Sequence, residues 1–364
     1  MNRQTVILNR SKLPSRGTHL APTNRFDTKD IEVFDDGWGT IAISQPPPRS
    51  VLIRDRSRSI ISWNESPDLG FDRSVNPYRG CEHGCIYCYA RPTHCYLGFS
   101  AGLDFESKLV FKPDAAALLE RELCRKNYVP APIVLGSNTD PYQPIERQFR
   151  LTRAVLEVLE RFNHPVIIVT KSAGILRDID ILQRMAERNL ACAHISITTL
   201  DARLARAMEP RASSPTRRLQ AIAGLADAKI PVGVFASPMI PGLNDSELES
   251  ILQAAASAGA SSAASTLLRL PNEVGDLFRD WLSRIVPDRA TKILGLIRAT
   301  RNGQLSESFF GRRFSGSGPY AQLLQSRFRR ACRQFALDSA PPDLTTTQFS
   351  RPSVYPSEQL DLFL

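Results

Sequence analysis

The chain has 364 residues, with 46 Lys+Arg against 37 Asp+Glu for a net charge of +9, and is 42% hydrophobic and 23% charged. That composition fits one to three globular domains and excludes a fibrous or wholly disordered chain. The apolar runs at 165–169 and 230–240 fall short of the roughly 20 residues that span a bilayer, and the first 20 residues hold no signal-peptide core, so a cytoplasmic protein without a membrane segment is expected.

Residues 1–22 carry Arg3, Arg10, Lys12 and Arg16 and no acid, and are expected to be a disordered basic tail. Residues 23–73 read as a proline-interrupted entry segment, with three prolines at 46–48 as a spacer and a strand within 51–63. From 74 to 270 short β-rich runs (74–78, 133–135, 166–170, 193–199, 232–236, 265–270) alternate with helix-period segments near 115–125, 150–161, 175–188, 215–228 and 246–258. The 166–170 run is apolar on both faces, as a parallel strand covered by helices is. Six strands in β–α alternation imply a doubly wound sheet or a partial barrel, and in both the chemistry gathers at the carboxyl ends of the strands. Residues 271–337 form a basic extension with helices near 274–286 and 320–335, and 338–364 reads as a flexible tail, rich in Pro, Ser and Thr.

The positive charge is uneven. Between 298 and 333 eight arginines face one acid, Glu307, and Phe309, Phe310, Phe314, Tyr320 and Phe328 interleave with them. Arginine with aromatics suits phosphate contact and base stacking, with Arg312 and Arg313 as the nucleic-acid-binding candidates; a solvated helix face over core aromatics is the other reading.

Seven cysteines stand at 81, 85, 88, 95, 124, 192 and 332. Their odd number and uneven spacing argue against a disulfide framework and for metal ligands or catalytic groups. The first barrel strand runs into Asn76-Pro77-Tyr78-Arg79-Gly80-Cys81, and Cys81, Cys85 and Cys88 are spaced C-x3-C-x2-C with Tyr87 before the third. Three thiolates so close can hold three irons of a 4Fe–4S cubane and leave the fourth open. Structural zinc is the alternative, with His83, His94 or Cys95 as fourth ligand, although no second C-x2-C knuckle exists here. Cys95 is also a candidate hydrogen donor or redox thiol, and Tyr87, with Tyr89, Arg91, His94 and Tyr96, a candidate shield, electron relay or substrate contact. Cys124, Cys192 and Cys332 read as core residues.

The motif C-x3-C-x-aromatic-C resembles the signature of the radical SAM superfamily. With Asn76-Pro-Tyr-Arg-Gly-Cys before it and Cys88-Tyr89-Ala90-Arg91 after it, the chain is similar over about residues 50–335 to the spore photoproduct lyase-like (DNA repair photolyase-like) group. The resemblance implies an α/β fold, a radical SAM partial (β/α)6 TIM-like barrel, here with a helical basic C-terminal extension. It implies two cofactors, a 4Fe–4S cluster on Cys81, Cys85 and Cys88 and S-adenosyl-L-methionine on the open iron, and a reducing partner such as flavodoxin or ferredoxin. One-electron reduction of the sulfonium would give methionine and a 5′-deoxyadenosyl radical that takes hydrogen from substrate. Ser137 and Asp140, after the second strand, then stand where the family holds the SAM amino group, Lys171 where it reaches the carboxylate, and Ser196, on one strand face with Thr198, where it contacts SAM. Gly242 lies in a loop that resembles the one packing on adenine, and Glu209 is a candidate to orient ribose or substrate. The group's namesake returns hydrogen from a cysteine after the second strand; residues 136–140 contain none, so its own reaction is not expected.

Gln359, Leu360, Leu362 and Phe363 resemble the bacterial sliding-clamp-binding peptide, which presents apolar anchors from a flexible end; a terminal segment folded back over the barrel is the alternative. The expected function is radical chemistry on nucleic acid, as DNA repair or modification. Modification of a protein or peptide partner, or a non-catalytic iron–sulfur redox or regulatory role, are the alternatives.

Overall fold

In a computed structural model of the protein, which describes residues 5–7, 16–27, 49–340 and 342–352, the expected β–α alternation forms one seven-stranded sheet. Ahead of it β1 (Thr5–Ile7) pairs antiparallel with β2 (Leu20–Pro22). The strand expected within 51–63 is two strands, β3 (Val51–Arg54) and β4 (Ile61–Trp63), that enter different sheets. β4 lies antiparallel on β5 (Arg73–Val75), the first barrel strand, whereas β3 joins β6 (Tyr78–Arg79) and β7 (Lys108–Phe111) in a sheet ordered β3-β7-β6. The remaining barrel strands are β8 (Ile133–Leu135), β9 (Val166–Thr170), β10 (Ala191–Ser196), β11 (Val232–Met239) and β12 (Ser262–Leu267). The order is β4-β5-β8-β9-β10-β11-β12, and every neighbouring pair from β5 to β12 is parallel.

α1 (Leu103–Ser107) precedes β7, and α2 (Ala115–Leu123), α3 (Glu146–Phe149), α4 (Leu151–Arg161), α5 (Ile179–Ala186), α6 (Ala202–Met208), α7 (Pro215–Asp227) and α8 (Leu248–Ser257) lie in the crossovers. α7 shows why these segments are helical. Ser214 caps it by accepting from the Arg217 amide at 3.4 Å, Pro215 opens it, and Arg218, Ala221, Ile222 and Leu225 form its buried stripe. On β10, Ala193 and Ile195 join the core under the helices, so His194 and Ser196 face the lumen.

The C-terminal extension holds α9 (Val274–Ile285), α10 (Pro287–Ala299) and α11 (Gly318–Gln334). α10 was not expected, because only Ile293 and Ile297 of it are buried. α9 and α10 build a second core with Ile86, Tyr87, Met208 and Ile240, closing over the cysteine loop. The expectation of a flexible tail from 338 onward fails for residues 342–352. Leu344 is buried, Phe349 packs on Tyr128, Phe162 and His164, and the Thr345 and Ser350 amides donate to the carbonyls of Asn189 and Phe162, each at 3.0 Å. Arg351 reaches the Leu123 carbonyl at 3.2 Å. All these partners precede barrel strands, so the strap crosses the end of the barrel opposite the strand carboxyl ends. Gln359, Leu360, Leu362 and Phe363 lie outside the described residues, as does most of 1–22; within that tail, residues 16–22 are packed against the cysteine loop.

Candidate active site

The cysteine loop follows β6 at the carboxyl end of the barrel, and its three thiols are unpaired, with Cys81 and Cys85 buried and Cys88 half-buried. The loop is pinned from every side. Cys81 donates its amide to the Phe105 carbonyl at 2.9 Å, Glu82 to Gln143 Oε1 at 2.9 Å, and Ile86 to the Met208 carbonyl at 2.9 Å. Fully buried Arg91 binds the Cys85 carbonyl through Nε at 2.9 Å and the Gly102 carbonyl through Nη1 at 3.0 Å, and pairs with fully buried Glu106. The same carboxylate accepts the amides of Gly17 at 2.8 Å and Thr18 at 3.2 Å, laying the N-terminal segment over the loop. Only glycine fits that crossing, since a Cβ on Gly17 would stand 1.7 Å from the Gly84 carbonyl oxygen.

Burial raises the pKa of Cys81 and of Cys85, with Asp140 adding to the first and Glu209 to the second. A metal group must therefore displace protons from these thiols. Among the described residues no three His, Cys, Asp or Glu side chains converge as a single ion requires. The three ligands of a cubane each take a different iron and need not meet at one point, and the C-x3-C-x2-C spacing of this loop suits such a group. Of the residues considered as a fourth zinc ligand, His94 keeps its Nδ1 buried and unpaired among the described residues. His94 Nε2 lies 2.9 Å from the Lys108 carbonyl with its ring between Phe99 and Phe105, and His83 Nδ1 lies 3.4 Å from Asp140. Cys95 is buried in the 3-10 helix Arg91–Leu97, where Glu273 and Arg25 are its charged neighbours and its carbonyl accepts from Asn24 at 2.8 Å. That places it under the N-terminal segment, beside Asn24 and Arg25.

The strand ends divide the other candidates into two groups. Asp140 is consumed as a brace: it accepts from Thr170 Oγ1 at 2.7 Å, the Lys171 amide at 2.7 Å and the Tyr142 amide at 2.9 Å. Glu209 and Thr198 are likewise committed, to one another and to Tyr87. Thr198 Oγ1 donates to Glu209 Oε1 at 2.6 Å, Tyr87 Oη binds the same oxygen and lies 3.1 Å from Thr198 Oγ1, and Arg218 holds Glu209 Oε2. Burial alone would raise the Glu209 carboxyl, but the Arg218 guanidinium and then the Lys171 ammonium outweigh it, and its pKa falls to about 2. Burial and the facing Glu209 push the Tyr87 phenol well up, so it is a neutral donor. Gly242 sits in a left-handed turn with its amide on Asp245 at 3.0 Å, packed towards Leu296 of α10.

The second group keeps polar atoms available. Lys171 Nζ makes no hydrogen bond among the described residues, and its charge acts on Cys85, Glu209 and His83. Ser196 faces the lumen and uses its carbonyl, at 3.1 Å, for Arg218. Ser137 takes one hydrogen bond from Asn76 Nδ2 at 3.1 Å, and Tyr89 binds its carbonyl.

Arg313 and Arg312 are held differently. Arg313 Nε donates to Asp68 at 2.9 Å in a nearly buried ion pair, so its edge is not presented to phosphate, whereas Arg312 is exposed. Sequence reasoning missed Arg218, the Glu106 partner of Arg91 and the hydrogen bond from Asn76 to Ser137. Arg218 had a signal, as a charge on the apolar stripe of α7; Asn76 and Ser137 stand 61 residues apart, and nothing local to Arg91 points to Glu106.

A sequence model described as the radical SAM superfamily matches residues 75–255. An uncharacterized protein of Mycobacterium tuberculosis is 34% identical over 232 residues, 63% of this chain and 68% of that protein. One of Methanocaldococcus jannaschii is 30% identical over 196 residues, 54% of this chain and 70% of that protein. Among solved structures, spore photoproduct lyase complexed with dinucleoside spore photoproduct gives a TM-score of 0.54 at 17% identity, covering 78% of this chain and 79% of that one. A mutant of it with bound AdoMet and dinucleoside spore photoproduct gives 0.53 at 16% identity, covering 78% of each. Likeness at that identity shows a shared fold, the radical SAM partial barrel.

Proposed function

This chain belongs to the radical SAM superfamily, and from that premise we propose that it is an enzyme acting on nucleic acid, with a 4Fe–4S cluster on Cys81, Cys85 and Cys88 and S-adenosyl-L-methionine across the strand ends. The observation that carries the reading is the trio of unpaired thiols in a fixed loop at the barrel mouth, facing an ammonium with no hydrogen-bonded partner among the described residues. When bound, the family's two cofactors supply a carbon-centred radical by one-electron reduction of the sulfonium. Lys171 answers the SAM carboxylate, and the hydroxyls of Ser137 and Ser196 offer neutral contacts. Glu209, Thr198 and Arg218 fix Tyr87, and with it the loop between Cys85 and Cys88. α9, α10 and the segment around Gly17 keep water from the loop.

Nucleic acid as substrate draws support from two sides: the neighbouring fold has been solved with a dinucleoside photoproduct, and Arg312 stands exposed among aromatics beside the mouth. Docking to a bacterial sliding clamp through Gln359, Leu360, Leu362 and Phe363, and reduction by flavodoxin or ferredoxin, complete the proposal. Anaerobic reconstitution should give about four irons per chain and dithionite-dependent cleavage of SAM. Cys85→Ala should lose both; a variant that kept both would sink the assignment. Deuterated DNA, offered to the reconstituted enzyme, should pass deuterium to 5′-deoxyadenosine.

A further inference from the structure

Five side chains form an alternating row from the cysteine loop outward. Tyr89, next to Cys88, lies 5.0 Å from the Arg269 guanidinium carbon, which is 5.7 Å from the Phe314 ring. Arg313 stands 4.7 Å from that ring and 4.9 Å from Phe310. The row is rigidly mounted. Buried Arg301 binds the carbonyls of Leu267 at 2.7 Å, Arg312 at 3.0 Å and Arg313 at 2.9 Å, tying the row's loop to the end of β12. Asp68 takes Arg313 Nε at 2.9 Å and the Gly311 amide at 3.2 Å.

The chemistry of what is left exposed is specific. A phosphate-binding arginine presents its N–H edge, but here Asp68 occupies the edge of Arg313, and both its neighbours are rings. Phe310 is 56% exposed, Phe309 70% and Tyr89 47%, so this fixed frame leaves aromatic rings open to solvent, with Arg312 beside them. Ring faces in a cationic frame recognise π-faces. In a duplex those faces are already stacked on neighbouring bases and out of reach; in an unpaired strand they are available.

We propose that the row of Tyr89, Arg269, Phe314, Arg313 and Phe310 is a stacking track for an unpaired nucleic-acid strand, leading a base to the cysteine loop. The proposal rests on the reading of the chain as an enzyme of nucleic acid and narrows it to single-stranded or locally opened substrate. Arg312 supplies the principal phosphate contact, so the dependence on salt is shallow for so basic a chain.

The test is fluorescence anisotropy of the full-length chain with a labelled single-stranded oligodeoxynucleotide and with its duplex, with poly-glutamate as competitor. The single strand should bind more tightly than the duplex. Phe310→Ala should weaken it roughly fivefold to a hundredfold, the range of one lost base–aromatic stack, and Phe310→Tyr should restore it. Arg330→Ala, an exposed site on α11 away from the row, should leave it unchanged. Tighter duplex binding, indifference to Phe310→Ala, or displacement by poly-glutamate as effective as by unlabelled oligonucleotide would each overturn the track. Absence of any nucleic-acid binding would remove the nucleic-acid reading as well, whereas SAM cleavage, measured separately, reports on the radical reading alone.

Discussion

A carboxylate taken out of water stays ionised only where a cation answers it. Glu209 has that answer in Arg218, and both are buried on adjoining crossover segments, with Thr198 and Tyr87 filling the remaining valences. Glu209→Gln keeps the shape and strands the Arg218 charge, so urea unfolding of the apo chain should show a loss of about 3–5 kcal/mol. Adding Arg218→Met should return much of it, since no charge is then left unpaired; a double variant as unstable as the sum of the two singles would contradict the pairing. At this scale the sequence was legible where the geometry is local. Cys81, Cys85, Cys88 and Lys171 stand out from spacing or from position at a strand end. Asp140 and Thr198 look the same as Lys171 in a sequence, but their side chains turn to long-range partners, and nothing in the flanking residues reveals the difference.

Among the elements, composition misjudged the strap 342–352, as it did residues 16–22. Serine, threonine and proline describe a chain without a core of its own, but they do not exclude sparse anchors on another surface. Here the anchors are Leu344 and Phe349, and the backbone hydrogen bonds go to loop carbonyls and not to a regular ladder. The six parallel strands, by contrast, were legible within a few residues, because apolar runs alternating with capped amphipathic helices leave little choice of layer. The 51–63 region misled for a related reason: strand character is local, whereas membership of one sheet or another is decided by pairing. Phe349→Ala should cost about 2–4 kcal/mol and expose the strap to limited proteolysis before the barrel unfolds. Unchanged cleavage kinetics would show that the strap is not held by that ring.

For the whole molecule, acid is the informative perturbant. Burial lowers the pKa of both His164 and His194 from 6.5 to about 4; the nearby Arg73 adds to the effect at His164 while its Pro165 contact opposes it. Above pH 6.5 both states carry neutral imidazoles and nothing is lost. As pH falls from 6.5 towards 4 the unfolded chain takes up protons that the folded one refuses, so stability drops through that window and levels below it. At pH 5 each histidine should cost about 2 kcal/mol, read as a fall in the urea midpoint between pH 7 and pH 5. Asp68 and Asp72, held below their usual range, chiefly by their arginine partners, lose their contribution only at lower pH. A flat midpoint from pH 7 to 4.5 would show that these imidazoles are not excluded from water. The net charge of +9 divides at this scale too. Arg301, Arg313 and Arg327 are spent on carbonyls, Asp68 and Glu249, while α11 runs towards the barrel's far end and leaves Arg330 and Arg333 exposed there, away from Arg312 at the mouth.

The strap has a consequence for how the molecule can be carried. It fastens the chain at Phe349 and Arg351 to the end of the barrel opposite the cysteine loop. The strap therefore lies at the pole opposite the strand carboxyl ends and leaves the mouth with its cysteine loop clear. The ring and carbonyl contacts of the strap also sit in series between tether and barrel, so a load on the chain end is spread over the loops before β8, β9 and β10 and does not reach the cysteine loop first.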